Sequence, residues 1–540
     1  MIRYTTFAAA ILLTIISLLL LLVSPWFWIA VAVFGFFTFI GIRDVTQRRH
    51  AILRNYPVLG NLRWIMEYIR PEIRQYLMES DHDQEPFSRD ERSIVYQRSK
   101  GAEDKRPFGT KKDVYAAGYS WMTHSVLARH DLPWDCRVKI GNEACKQPYD
   151  ASIFNISAMS FGALSANAIS ALNKGAKMGG FAHDTGEGGI SIYHRKGGGD
   201  LIYEIGSGYY GCRNDDGTFS AEKFAEQAKS PQVKMIEIKL SQGAKPGHGG
   251  MLPASKISPE IAEARGIPMD KDCLSPATHS KFTTPLEFVA FLQELRELSA
   301  GKPVGFKLCV GHRREFMCMV KAMLETGIVP DFIVVDGKEG GTGAAPLEFA
   351  NHIGMPLVEG LTFVVNTLVG AGLRDQIKVG AAGKLVTAYD ISKAFALGAD
   401  WVNSARGFMF SIGCVQAQAC HTNHCPVGIT TQDKLRQRAL DVDSKSVRVA
   451  CFHKNTLKAV AEMIGAAGLG GPDELQPKHL MIRQKNGETT SGARIYLKMK
   501  PGALIDDEVE IFSESYRVPW NNARTDSFRP FEGMESLEYN

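Results

Sequence analysis

Residues 4–42 contain no charged side chain, and three other scarcities narrow what the rest of the chain can be. Net charge is small, since 62 Lys and Arg stand against 58 Asp and Glu, for +4 over 540 residues. That excess is too weak to make a nucleic-acid surface, so no nucleic-acid partner is expected. Cysteine is thinly spread: ten residues, without the dense pattern of a small secreted domain, exclude a disulfide scaffold and point to a reducing compartment. No strand-like run leads directly into GxGxxG, the turn by which a doubly wound sheet binds a dinucleotide, so that fold is only the second choice.

The long uncharged run is informative in itself, because about 20 apolar residues suffice to cross a bilayer once. Ser24 and Pro25 divide it into 7–23 and 27–42, with Trp26 and Trp28 at the turn, where interfacial aromatics are expected. This predicts a two-helix transmembrane hairpin over residues 1–45, entering the membrane with residues 5–42. A cleaved signal peptide fits less well, since its apolar region is only about 7–15 residues and here a second apolar span follows. Arg3 before the first span and Arg43, Arg48 and Arg49 after the second place both ends on the cytoplasmic side. The catalytic body is then expected in the cytoplasm, on a membrane of the bacterial inner-membrane type.

Residues 46–149 turn polar and mixed in charge, with helical patterning in LRWIMEYIRPEIRQYLME, and are expected to form a helical connector packed on the main domain. From 150 to 480 the texture changes to short apolar runs that end in glycine-rich loops and are separated by helical segments. That alternation marks βα units around a parallel sheet. Eight runs qualify: IFNISAMS, FAHDTGEGG, LIYEIGS, KMIEIKLSQG, PVGFKLCVG, FIVVDGKEGG, QIKVGAAGK and WVNSARGF. They predict an α/β fold of the (β/α)8 TIM-barrel type, in which chemistry sits at the carboxyl ends of the strands. Ser160, Glu187, Lys239, Lys245, Lys307, Glu339, Lys384 and Arg406 fall at such ends. Residues 481–540 read as a C-terminal extension with strand-like pieces such as ARIYLKMK.

The last two units place glycines and backbone amides just before a helix, where barrels often bind a phosphate. Gly383, Ser404 and Gly407 allow close backbone approach and Arg406 adds charge; ordinary tight turns are the plain alternative. The loop EGGTGAA, with Gly340, Gly341 and Thr342, makes the same offer. FMN suits these features better than a nicotinamide, having one phosphate and a ring that can lie over the barrel mouth beside lysines. Lys239 and Lys307, each in an otherwise apolar strand, are candidates for that contact, because an unpaired interior lysine is costly. Residues 414–431, CVQAQACHTNHCPVGITT, gather three cysteines within twelve residues, followed by Pro426 and Gly428. Such a loop can hold an iron-sulfur centre, a structural zinc with His421 or His424 as fourth ligand, or three packed thiols.

In order along the chain, SAMSFGALSANAISALNKGAKMGG, TGEGG, KLSQGAKPGHGGMLP, DGKEGGTGAAP and CHTNHCPVGITTQ resemble the synthase domain of glutamate synthases over about residues 150–480. The chain is similar to the stand-alone, membrane-anchored members of the FMN-binding glutamate synthase family. The resemblance implies FMN and a [3Fe-4S] cluster on the barrel. It also implies an oxidoreductase of the CH-NH2 class, passing a hydride to the 2-iminoglutarate formed from 2-oxoglutarate and ammonia. It implies Cys414, Cys420 and Cys425 as cluster ligands, with Glu187, Lys245 and Arg265 as the catalytic set. Arg265 would hold the substrate carboxylate, a task suited to planar bidentate donors. Ser160, Lys239, Gln242, Lys307, Gly340, Gly341, Thr342, Gly383, Ser404 and Arg406 make up the cofactor-binding set.

One position departs from the family. Met251 stands where members commonly carry glutamine before Leu-Pro, and a thioether cannot donate to an oxo-acid, so a related oxo-acid joins 2-oxoglutarate as acceptor. His248 beside it is a substitute donor. The family's glutaminase domain, its glycine-repeat domain and a pyridine-nucleotide module are not recognisable, so ammonia and electrons are expected from outside, the latter from ferredoxin, a reductase subunit or a membrane donor. The alternative is a membrane-anchored flavin/iron-sulfur electron-transfer subunit without a small-molecule substrate. A flavin-dependent hydroxy-acid oxidase comes third.

Overall fold

The eight apolar runs become eight parallel strands in the computed structural model, which describes residues 2–81, 86–497, 499–506 and 514–530. They are β1 (Phe154–Ile156), β2 (His183–Asp184), β3 (Leu201–Ile205), β4 (Val233–Lys239), β5 (Val304–Leu308), β6 (Phe332–Asp336), β7 (Lys378–Ala382) and β8 (Trp401–Ser404). Neighbours in sequence are neighbours in the sheet, and β8 closes on β1 with Val402 opposite Phe154. The predicted (β/α)8 barrel is therefore present. Both β3 and β5 are buried along their whole length, as parallel strands covered by helices must be.

The intervening helices start where the sequence supplies caps. Ser165 accepts a hydrogen bond from the Ala168 amide at 3.2 Å to open the helix Ala166–Gly179. Thr284 with Glu287, and Thr387 with Asp390, form reciprocal capping boxes at Pro285–Leu298 and Ala388–Ala396. An antiparallel hairpin, Arg137–Ile140 with Tyr149–Ser152, closes the amino end of the barrel. Its Ile140, Tyr149 and Ala151 pack with Ile202, Met235, Phe332 and Trp401 in one apolar cluster. That plug leaves the carboxyl ends of the strands as the open face.

The chain divides into two compact units, Met1–Arg89 and Asp90–Asn540. In the first, the helices Thr5–Leu20 and Trp28–Thr46 run antiparallel through a turn at Pro25–Phe27. The Thr14 and Thr38 hydroxyls lie 2.9 Å apart across the pair, and Gly41 leaves room for the Phe7 ring. The helical hairpin predicted from the sequence is thus formed. Among the described residues one helix, Pro25–Thr46, is long and apolar enough to cross a membrane by length and composition; Thr5–Leu20 is apolar but shorter. At the base of the hairpin Asp44 is fully buried and accepts from Arg43 at 2.7 Å and from the Val58 amide at 3.1 Å.

Two expectations are corrected. The connector is helical only as far as Lys100; beyond it, glycines, prolines and scattered charges break any helical period. That stretch runs as loops, with Ser120–Met122 paired antiparallel to Leu480–Arg483. In the C-terminal extension, ARIYLKMK contains no strand among its described residues: Gly492–Tyr496 is a single helical turn capped by the Ser491 hydroxyl. Residues 82–85 of the connector, and 498, 507–513 and 531–540 of the extension, lie outside the described residues.

Candidate active site

A cavity of about 240 Å³ opens at the carboxyl ends of the strands. The turn after β2 brings Glu187 into it, and two glycines make that turn possible. A Cβ at Gly186, whose φ is +65°, would lie 2.7 Å from the Ser160 amide nitrogen. The Glu187 carboxylate sits 3.0 Å from the Lys239 ammonium at the end of β4. Burial alone would push the Glu187 carboxyl up, but Lys239, followed by Arg265 and Lys245, outweighs it and holds the group below its ordinary value. Glu187 is therefore an anion in a cationic pocket.

Lys245 and Arg265 reach the same cavity from the long loop after β4, and each is 5% exposed. Burial pushes the Lys245 ammonium down, with the Glu187 charge opposing. Arg265 ends the helix Pro259–Arg265, which Ser258 caps and the left-handed Gly266 terminates. Its guanidinium donates to the Ser160 hydroxyl and the Phe161 carbonyl, each at 3.3 Å, and lies 5.2 Å over the Tyr210 ring. Its buried Nε has no hydrogen-bond partner among the described residues.

On another wall, Arg406 donates to the Thr342 carbonyl at 2.8 Å and lies against Gly341. Gln242 reaches the Thr342 hydroxyl at 3.5 Å. The Gly243 amide donates to Asp336 at 2.8 Å, and a Cβ there would come within 1.7 Å of the Gly337 carbonyl oxygen. Ser160, Glu187, Lys239, Gln242, Lys245, Arg265, Gly341, Thr342, Arg406 and Cys420 all line the one cavity.

Other predicted residues stand behind this wall. Gly340 lies beside the Asp336 carboxylate, Gly383 adopts φ +138° close to Gly337, and Ser404 is buried at the end of β8. Lys307, expected near the flavin ring, is 4% exposed and its ammonium is taken up by Glu204 and by Glu237 at 3.3 Å. Among the described residues, Asp184, Glu204 and Glu237 are the one set of three side chains whose ligand atoms lie within 4.8 Å of one another. Burial, then the Asp184 and Asp336 charges, pushes the Glu237 carboxyl well up. Apart from these two ion pairs, Lys245, Lys256, Arg265 and Arg406 line the cavity without an ion-pair partner among the described residues. The cavity therefore carries a surplus of positive charge. Met251 lines it as well and is half exposed, whereas His248 turns Nδ1 to the Gly249 carbonyl at 2.7 Å and packs on Phe349.

The cysteine loop abuts this cavity. Cys414, Cys420 and Cys425 line one small cavity of about 20 Å³, and Cys420 lines the large one too. Gln416, Gln418 and Asn423 take positive φ values of 58°, 54° and 65° to fold the loop back. The three sulfurs do not all lie within 4.8 Å of one another. That is wider than one zinc ion with about 2.3 Å bonds would need. Burial pushes Cys414 up to about 11. Burial also raises Cys425, but hydrogen bonds from the Thr430 amide and hydroxyl and from the Val427 and Ile429 amides hold it below its ordinary value. All ten cysteines are free.

Lys256, which the sequence reading passed over, connects the two cavities. It is 4% exposed and donates to the carbonyls of Cys420 at 3.2 Å and Thr430 at 3.1 Å.

The family described as the conserved region in glutamate synthase matches residues 113–470. This chain belongs to the glutamate synthase family. Within it, the glutamate synthase large subunit-like protein YerD of Bacillus subtilis is 38% identical over 492 residues, 84% of this chain and 93% of that protein. An archaeal glutamate synthase [NADPH] of Methanocaldococcus jannaschii is 34% identical, and the match spans 61% of each chain. A ferredoxin-dependent glutamate synthase of Antithamnion is 32% identical over 49% of this chain, which covers only 17% of that protein. Matched segments thus range from nearly the whole of one relative to a sixth of another. The matched region holds the whole barrel, both cavities and the cysteine loop.

Proposed function

We propose that this member of the glutamate synthase family is an FMN- and [3Fe-4S]-dependent oxidoreductase that reductively aminates 2-oxoglutarate, or a related oxo-acid, with ammonia supplied from outside the chain. One observation carries the reading: a cation-rich cavity at the barrel mouth shares the Cys420 wall with a three-thiol loop. Its unpaired cations suit an anionic cofactor and an anionic substrate together.

The residues fit both groups. Arg406 and the backbone of the loop around Gly341 and Thr342 would hold the FMN phosphate, with Gln242 and Lys239 toward the ring. Cys414, Cys420 and Cys425, which line one small cavity, would hold the cluster. When bound, the cluster supplies single electrons and the flavin supplies a hydride.

The chain's own side chains would do the rest. Arg265, already fixed by Ser160 and Phe161, grips the α-carboxylate, and Lys245 neutralises and polarises the oxo group. The anionic Glu187 holds an ammonium ion and takes its proton, so that ammonia can condense with the oxo-acid and release water. The imine then accepts one hydride and one proton to become the amino acid. Met251, an apolar side chain in the cavity lining, favours acceptors beyond 2-oxoglutarate as well.

Electrons would come from ferredoxin or a reductase subunit, and the hairpin over residues 5–42 would anchor the protein in a membrane of the bacterial inner-membrane type, the barrel facing the cytoplasm. The cofactor reading is tested on purified protein by release of FMN on denaturation and by a three-iron paramagnetic signal in the oxidised state; zinc in place of iron would refute it. Retention of the full chain in membranes through alkaline carbonate tests the anchor, and release into the supernatant would contradict it.

A further inference from the structure

Lys256 closes the short turn Ala254–Lys256 and is a buried cation with no ion-pair partner among the described residues. An ammonium has three protons to donate and strongly disfavours burial without an opposing charge. Only two of its donors are accounted for, by the Cys420 and Thr430 carbonyls. Both acceptors belong to the cysteine loop, one at a predicted ligand and the other a few residues beyond Cys425. Lys256 also lines the large cavity, as do Cys420, His421 and Thr430. A positive charge is thus fixed in the wall between the two cavities, and the nearby sulfurs are the groups able to answer it.

We propose that Lys256 is a positioning residue for electron entry. It ties the cysteine loop to the cavity wall through two carbonyls, and its charge stabilises the extra electron that the iron-sulfur group receives from the external donor before passing it to the flavin. No proton need move, and no bond to Lys256 forms or breaks. The effect is electrostatic, from a charge held in a water-poor wall where screening is weak. This inference rests on the cluster reading above.

The test is a redox titration of purified full-length protein, followed by the paramagnetic signal of the cluster. Flavin content serves as the check on folding. Lys256→Arg keeps the charge, whereas Lys256→Gln keeps a donor for one carbonyl and removes the charge. Lys256→Gln should shift the one-electron equilibrium at least tenfold toward the oxidised cluster, a potential lower by about 59 mV, and Lys256→Arg should not. A Gln variant that loads no cluster while the Arg variant does supports the same role. Equal potentials in wild type and Lys256→Gln, equal shifts in both variants, or loss of the cluster from both would overturn it. If the wild-type protein itself binds no iron, the cluster reading falls instead, and that outcome is read before either variant.

Discussion

At the scale of single residues, the candidate site is a balance of one carboxylate against several cations. Glu187 is the sole cavity carboxylate argued to act on substrate, and Lys239 holds it ionised. Replacing it by Gln keeps the shape and removes the base, so turnover of oxo-acid and ammonium should fall by about 10²–10⁴-fold while bound flavin is retained. Measuring kcat and flavin content together checks this; unchanged kcat would remove Glu187 from the chemistry. Arg265→Lys loses the planar fork and should raise KM for the oxo-acid by roughly tenfold or more, with a smaller effect on kcat. Most of these side chains were legible as polar residues at strand ends or in recognisable segments. Lys307 shows the limit of that reading. A lysine in an apolar strand signals a buried charge, but sequence does not tell whether its partner is a ligand or, as here, Glu237 on the adjacent β4 and Glu204 on β3 beyond it. Lys256 was missed for the opposite reason: it sits in a loop with no periodicity, and its partners are backbone carbonyls more than 160 residues away.

At the scale of elements, the barrel was readable because each strand is a short apolar run closed by a glycine turn, a local signal. The stretch from 101 to 148 was not, because its first strand, Ser120–Met122, is specified by pairing with Leu480–Arg483 across the chain. Glycines at the strand ends are where loop geometry is most demanding. Gly243 leaves no space for a Cβ against the rigid Gly337 carbonyl, so Gly243→Ala must push apart the loops after β4 and β6. Flavin retention through gel filtration should drop several-fold in Gly243→Ala, and a variant that keeps flavin as wild type does would show that these loops do not hold it. By contrast, Gly343→Ala meets open space and should be tolerated.

For the molecule as a whole, stability toward acid is set partly by histidines that the barrel buries uncharged. Burial pushes His453 down to about 3 from an ordinary 6.5, with Arg137 adding to the effect. The ring stacks on Phe181 at 3.9 Å and meets the Ser152 hydroxyl at 2.9 Å. Below pH 6.5 the unfolded chain binds a proton there and the folded one does not. Its contribution is therefore complete above pH 6.5 and is lost as pH falls toward 3, at up to about 1.4 kcal/mol per pH unit. His453→Phe should lose less Tm than wild type between pH 6.5 and 4.5, whatever its Tm at pH 7; an equal loss would contradict the assignment. Nothing in the composition predicts this, since the burial of His453 follows from the packing of its helix, Val442–Ala466, against Ser152, Phe154 and Phe181 far away in the chain.

The central claim, that this barrel delivers reducing equivalents to an oxo-acid and ammonia, is tested most directly in a single turnover. Protein reduced under anaerobic conditions and mixed with 2-oxoglutarate and ammonium should reoxidise its flavin and form one glutamate per flavin, with neither event when ammonium is left out. A reduced flavin that stays reduced with 2-oxoglutarate and every other oxo-acid tried would contradict the account and mark the protein as a carrier that only passes electrons onward.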